Sequence, residues 1–207
     1  LRDPNSLLPL SQFVACGHFA AGDAQAARSV LADAVARSRA DFSRTERTSG
    51  ALTWLLETAA LQAAAGFNTD RDATMEVFTS ASSQLADIDE RWIAHVSGAQ
   101  AFSDAGDGAA ADRLLDGAAT ITRALPDAPA SGPPRIVYLH SLVQFAAEAK
   151  RWRKAERLLA ELAREPSPSP SDALTPMAID GLRRQRAWLA EVIATRDLDI
   201  PPPERRE

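Results

Sequence analysis

The side chains that most often lead nucleophilic or metal chemistry are scarce in this sequence: Cys16, His18, His95 and His140. Cys16 and His18 stand two residues apart, which turns them to different faces of a helix and argues against a thiolate–imidazole dyad. His95 and His140 fall on corresponding helices in the reading developed below and can approach each other. A zinc site needs three or four ligands, however, and the one cysteine lies far away in sequence. No catalytic constellation, metal site or cofactor site is therefore expected, and the histidines read as packing or surface residues. Two basic clusters offer acid- or phosphate-binding chemistry: Lys150, Arg151, Arg153, Lys154 and Arg157, then Arg183, Arg184 and Arg186. Glu156, Glu161 and Asp180 dilute both, so solvated helix faces are the expectation.

The elements that would carry these residues are helical. Hydrophobic residues make up 45% of the 207, charged ones 25% and aromatic ones 6%. Alanine dominates the apolar set, which favours closely packed helices over sheets. The net charge of -5 argues against non-specific nucleic-acid binding by the whole chain. That charge is uneven: residues 1–134 carry a net -7 and residues 135–207 a net +2. Arginine outnumbers lysine by 21 to 2, read mainly as genome composition of a bacterial kind. With one cysteine no internal disulfide forms, which is compatible with a reducing cytoplasm. No apolar run approaches the roughly 20 residues of a membrane span. No signal-peptide pattern opens the chain, and its start at Leu1 leaves room for a removed leader.

The clearest unit runs from Arg91 to Leu125. Trp92, Val96, Ala99 and Phe102 share one helical face, and Ala111, Leu114, Leu115, Ala118, Ile121 and Leu125 share another. Between them Gly106 suits a left-handed helix end, and Asp107 suits the N-cap of the next helix. Looser copies flank this unit. The first has Leu10, Phe13, Val14 and Gly17, a junction at Ala21-Gly22-Asp23, and Ala27, Val30, Leu31, Ala34 and Val35. A helix start at Pro9 follows an irregular lead-in over residues 1–8, and a polar connection, which can be partly helical, spans Arg37 to Thr48. The second has Leu52, Leu55, Leu56 and Ala59, then a turn at Ala65-Gly66-Phe67-Asn68 about two residues longer than the others. Asp70 or Asp72 caps its second helix, with a stripe of Ala73, Val77, Phe78, Ala81 and Leu85. The fourth has Ile136, Leu139, Leu142, Val143 and Ala146, a Lys150-Arg151-Trp152 junction, and Ala155, Leu158, Leu159, Leu162 and Ala163. The hairpins thus span about 9–39, 50–86, 88–125 and 134–165. Pro-rich connections lie at 126–134 and 165–175, a last helix at 176–196 and a tail at 197–207. Trp152 reads as structural and Trp188 as core.

The junctions Gly22, Gly66, Gly106 and Lys150 recur at 44, 40 and 44 residues. Recurrence with a shared pattern marks a repeat architecture. At these junctions the chain resembles tetratricopeptide-repeat (TPR) proteins. The matching features are a small residue in the first helix (Ala15, Ala59, Ala99, with Val143 departing), the turn, and a small residue early in the second helix (Ala27, Ala73, Ala111, Ala155). Pro126 and Pro166 follow the last two units. The resemblance covers roughly residues 9–166. It departs in repeat length, since the family repeats about every 34 residues, and in most of the family's first-helix aromatics.

The resemblance implies an all-α, right-handed superhelix: a single domain of four TPR-like hairpins with 176–196 as capping helix. It implies a non-enzymatic scaffold that binds an unknown protein or peptide on its concave face. The alternative is a sensory or regulatory segment of a larger signalling or transcription-regulating protein. The groove lining it implies is Gln12, Cys16 and Phe19; Leu56, Ala60 and Ala63; Val96, Gln100 and Ser103; and His140, Gln144 and Ala147, with Glu148 beside them. Gln100 and Gln144 would hydrogen-bond a peptide backbone. Some members hold a partner's carboxylate with cations on the first helices. Residues 9–20, 51–65, 92–105 and 136–149 contain no lysine, arginine or asparagine, so neutral or apolar segments are the expected ligands.

Overall fold

The computed structural model describes residues 4–42, 49–125, 133–165 and 176–195. Among these the fold is all-α, with nine helices and no strand. They are α1 (Pro4–Ala20), α2 (Ala24–Phe42), α3 (Ser49–Ala64), α4 (Asn68–Ser83), α5 (Ile88–Asp104), α6 (Gly108–Arg123), α7 (Arg135–Glu148), α8 (Trp152–Leu162) and α9 (Pro176–Ala194). The expected connections within 43–48, 126–132 and 166–175, and the tail 197–207, lie outside the described residues. Packing forms two compact units, residues 1–121 and 122–207.

Among the described residues four turns are built alike. Three residues separate the helices each time: Ala21-Gly22-Asp23, Ala65-Gly66-Phe67, Ala105-Gly106-Asp107 and Ala149-Lys150-Arg151. The middle residue is left-handed, with φ of 79° at Gly22, 78° at Gly66, 82° at Gly106 and 56° at Lys150. Its amide donates to the carbonyl three residues back, at 3.0 Å for Gly22 to Phe19 and 2.9 Å for Lys150 to Ala147. The next amide reaches five residues back: Asp23 to His18 at 2.9 Å, Phe67 to Gln62 at 2.8 Å, Asp107 to Phe102 at 2.9 Å and Arg151 to Ala146 at 2.7 Å. This is the Schellman arrangement, which satisfies helix-end carbonyls that would otherwise lack donors. The second turn is therefore no longer than the others. Neither Asp70 nor Asp72 caps α4, because Phe67 holds the place of Asp23 and Asp107, and α4 starts uncapped by a side chain.

Three other expectations are corrected. The first helix begins at Pro4, so Pro9 lies inside it. An interior proline costs a helix about 3 kcal/mol; burial of Leu7 and Leu8 beside it offsets that and extends the helix. Helix α2 continues to Phe42 because Leu31, Val35, Ser38 and Phe42 all lie on its buried face. In α4, Ala73 is exposed and Thr74 takes the buried place with Val77, Phe78 and Ala81. Since α4 starts immediately after the turn, Arg71, not an alanine, occupies the position of Ala27, Ala111 and Ala155.

In the first unit α3 is central, packing against α1, α4 and α5. Ala15, Ala59 and Ala99 are all buried. At Gly98 a Cβ would lie 2.2 Å from Leu56 Cδ1, so α5 approaches α3 as closely as glycine allows. His95 on α5 packs edge-on against Phe78 at 5.2 Å and sits over Gly117 of α6. Buried Gln62 accepts from Thr74 Oγ1 at 2.8 Å, tying α3 to α4. Ion pairs link α2 to α4, Arg28 with Asp70 at 2.6 Å, and α4 to the turn before α6, Arg71 with Asp107 at 3.2 Å. In the second unit α7 packs against α8 and α9, and α8 against α9. Ile179, Leu189 and Ile193 of α9 are buried, but Trp188 is 51% exposed, contrary to its expected core position. The helix's apolar stripe is complete without it. Arg123 holds Glu161 through two 2.8 Å hydrogen bonds, and Arg135 pairs with Glu165 at 2.9 Å.

Candidate functional site

The sequence places twelve residues, with Glu148, on one presumed face of the first helices, and the structure separates them into three sets. The residues ten before each turn residue are Gln12, Leu56, Val96 and His140. Leu56 (0% exposed), Val96 (2%) and His140 (4%) are core. Gln12 is half-buried, and its amide donates to the Trp54 carbonyl at 3.1 Å and Thr58 Oγ1 at 2.8 Å. This register therefore turns toward the neighbouring helix, where an i, i+4, i+7 spacing gives a common face without telling which side of the helix it is.

The second set stays accessible in the first unit. Cys16 is exposed, and Phe19, Ala63, Gln100 and Ser103 are half-buried, with Ala60 buried among them. Phe19 stacks on Phe67 with centroids 5.9 Å apart, and the Arg28 guanidinium lies 5.5 Å from the centre of the Phe67 ring. Gln100 donates one amide hydrogen to Asp104 at 2.8 Å, which leaves its second N–H and its carbonyl for other partners. Helices α1 and α5 both pack against α3, whose sole ionisable residue is Glu57. Burial pushes the Glu57 carboxyl pKa up.

The third set belongs to α7. Ala147 is buried, and Gln144 donates to Glu148 at 2.8 Å while accepting from Gln185 of α9 at 3.0 Å. The last helix thus covers the α7 positions that the resemblance assigns to the groove. Beside it, His140 Nε2 is buried without a hydrogen-bond partner. It adjoins a cavity of about 30 Å³, space for a water molecule, lined by Ile136, Leu162, Ile179, Leu182, Arg183 and Arg186. Burial lowers the His140 pKa.

Two open clefts lie elsewhere. One, of about 620 Å³, has Met75, Glu76 and Thr79 of α4 facing Ala110 and Arg113 of α6. The other, of about 590 Å³, lies between Leu159, Ala160 and Ala163 of α8 and Arg183, Ala187 and Ala190 of α9. Neither is legible from the sequence, since both depend on how the second helices and α9 are spaced. The basic cluster at the fourth turn is not a uniformly solvated face either, because Lys154 is buried. Among the described residues no three metal-ligating side chains converge, and no helix is long and apolar enough to cross a membrane. No protein-family model matches the chain, and the comparisons with curated proteins and with solved structures find no match.

Proposed function

We propose that this chain is a TPR-like helical-repeat scaffold, without enzymatic activity, that binds a neutral or apolar peptide segment on the first-helix face of residues 1–121. In this reading α1/α2, α3/α4, α5/α6 and α7/α8 are four hairpins of a right-handed superhelix, and α9 is its cap. The observation that carries it is the fourfold recurrence of one turn geometry, glycine replaced by Lys150 in the last copy. A chain that reuses one turn at 40 to 44 residue spacing stacks like units and offers their repeated faces for binding.

The ligand class follows from the side chains that remain accessible. Cys16, Phe19 and Ala63 supply apolar contact, and Ser103 and the Gln100 carbonyl supply hydrogen bonds to peptide amides. The first helices supply no lysine or arginine among these residues, and Arg28, beside Phe67, is paired with Asp70. A peptide carboxylate brought there loses hydration and gains no compensating charge. Calorimetric titration with an apolar peptide, amidated at its C-terminus, and with the same sequence ending in acidic residues and a free carboxylate tests this. The amidated form should bind and the acidic form should not. Gln100→Ala should weaken the binding about fivefold to tenfold, the worth of one hydrogen bond. Micromolar binding of the acidic form alone refutes the assignment.

A further inference from the structure

Helix α9 carries two arginines that its neighbours leave unneutralised. Arg184 is paired with Asp180 on the same helix. Two acids at the end of α8 are taken as well: Glu161 holds Arg123, and Glu165 holds Arg135. Among the described residues, exposed Arg183 and half-buried Arg186 have no hydrogen-bond or ion-pair partner.

Both arginines line two spaces at once. One is the cavity of about 30 Å³ beside His140, which is 4% exposed and whose Nε2 is buried without a partner. The other is the cleft of about 590 Å³ between α8 and α9, a size usual for small-ligand sites. The floor of the cleft is apolar: half-buried Leu159, with Ala160, Ala163, Ala187 and Ala190 exposed. Leu162, at the end of α8, shares the cavity with Arg183, whereas Glu156, earlier on α8, lines only the cleft. The cationic part of the cleft thus adjoins the cavity, and its acid stands away from it.

We propose that this cleft binds a medium-chain monocarboxylate, its head held by Arg183, Arg186 and His140 Nε2 and its hydrocarbon chain laid on the alanine floor. Guanidinium groups give a carboxylate charge-assisted hydrogen bonds. His140 adds a ring N–H donor in a space where one carboxylate oxygen takes the place of a water. From Arg183 to Ala190 the floor runs about 10 Å, at 1.5 Å of helix per residue, which sets the length of chain it covers. Its leucine and alanines have no hydrogen-bonding side chain, so a peptide laid there would leave its amides unmatched. That separates this ligand from the peptide assigned to residues 1–121. Glu156 repels a second carboxylate at the far end, so one acid per ligand is preferred.

Octanoate titrated into the isotopically labelled whole chain, followed by calorimetry and by amide and histidine-ring signals, tests this. Octanoate should bind and move the amides of Ala160, Ala163, Ala187 and Ala190. Octanamide, with the same chain and no charge, and acetate, with the same head and no chain, should each bind at least tenfold more weakly. The pKa of the His140 ring should rise on binding, because a neighbouring anion favours the imidazolium. Arg183→Gln combined with Arg186→Gln should weaken octanoate at least tenfold. Ala187→Glu, which sets an acid on the exposed floor, should do the same and serves if the double variant does not fold. Absence of octanoate binding, octanamide or acetate binding as tightly as octanoate, binding indifferent to these substitutions, or a His140 ring that does not respond each overturns the proposal.

Discussion

Lys150 holds a left-handed backbone that the other three turns give to glycine. For an L-residue that conformation costs about 1 kcal/mol relative to glycine. Lys150 is exposed, so Lys150→Gly should stabilise residues 122–207 by about that amount, read as a higher urea midpoint at unchanged slope. Asp107 performs two tasks: it accepts from the Ala110 amide at 3.0 Å and pairs with Arg71. Asp107→Ala should cost about 1–2 kcal/mol in the same measurement. His95, half-buried, and His140, buried, set a pH dependence. Burial lowers the pKa of both His95 and His140 from the ordinary 6.5. As pH falls, the unfolded chain takes up protons first, so their contribution is complete above about pH 6.5 and is lost as pH falls toward the folded-state values. Stability should drop between pH 7 and pH 5, and His140→Leu should make that drop shallower. A slope unchanged by the substitution would show that His140 is not the group responsible.

Among the elements, α9 shows most directly how packing decides what the sequence leaves open. Helical spacing gives it a stripe of Ile179, Leu182, Leu189, Val192 and Ile193; the structure buries Ile179, Leu189 and Ile193 and leaves Leu182 and Val192 half-buried. Removing residues 176–207 should expose the faces of α7 and α8 and lower the melting temperature. Leu189→Ala alone should cost about 2–5 kcal/mol. Trp188, one position along, belongs to the exposed side, a distinction of one residue that an apolar pattern does not make. The turns at Gly22 and Gly106 are legible because glycine is followed by a capping aspartate, and both aspartates accept the expected amide. The turn at Gly66 is misread because Phe67 stands where an acid is expected and Asp70 is drawn in as the cap. The structure gives Asp70 to Arg28 of α2, a contact 42 residues away that local reasoning does not reach. The groove suffers the same limit. Positions 12, 56, 96 and 140 share a register, but whether that register faces a neighbouring helix or solvent depends on how the first helices are spaced, and Leu56 against Gly98 shows a close approach.

At the scale of the molecule, one turn used four times organises both compact units, and the face left by α1, α3 and α5 is the candidate binding surface of the first. The two clefts beside the second helices, at Met75 and Arg113 and at Leu159 and Ala187, are its competitors for a ligand. Amide chemical-shift mapping distinguishes them in one experiment, with the amidated apolar peptide titrated into the isotopically labelled whole chain. The scaffold reading predicts that the shifts concentrate at Cys16, Ala63, Gln100 and Ser103, with smaller changes at Phe19 and Phe67. Shifts confined to Met75, Thr79 and Arg113, or to Leu159, Ala163 and Ala187, would contradict it.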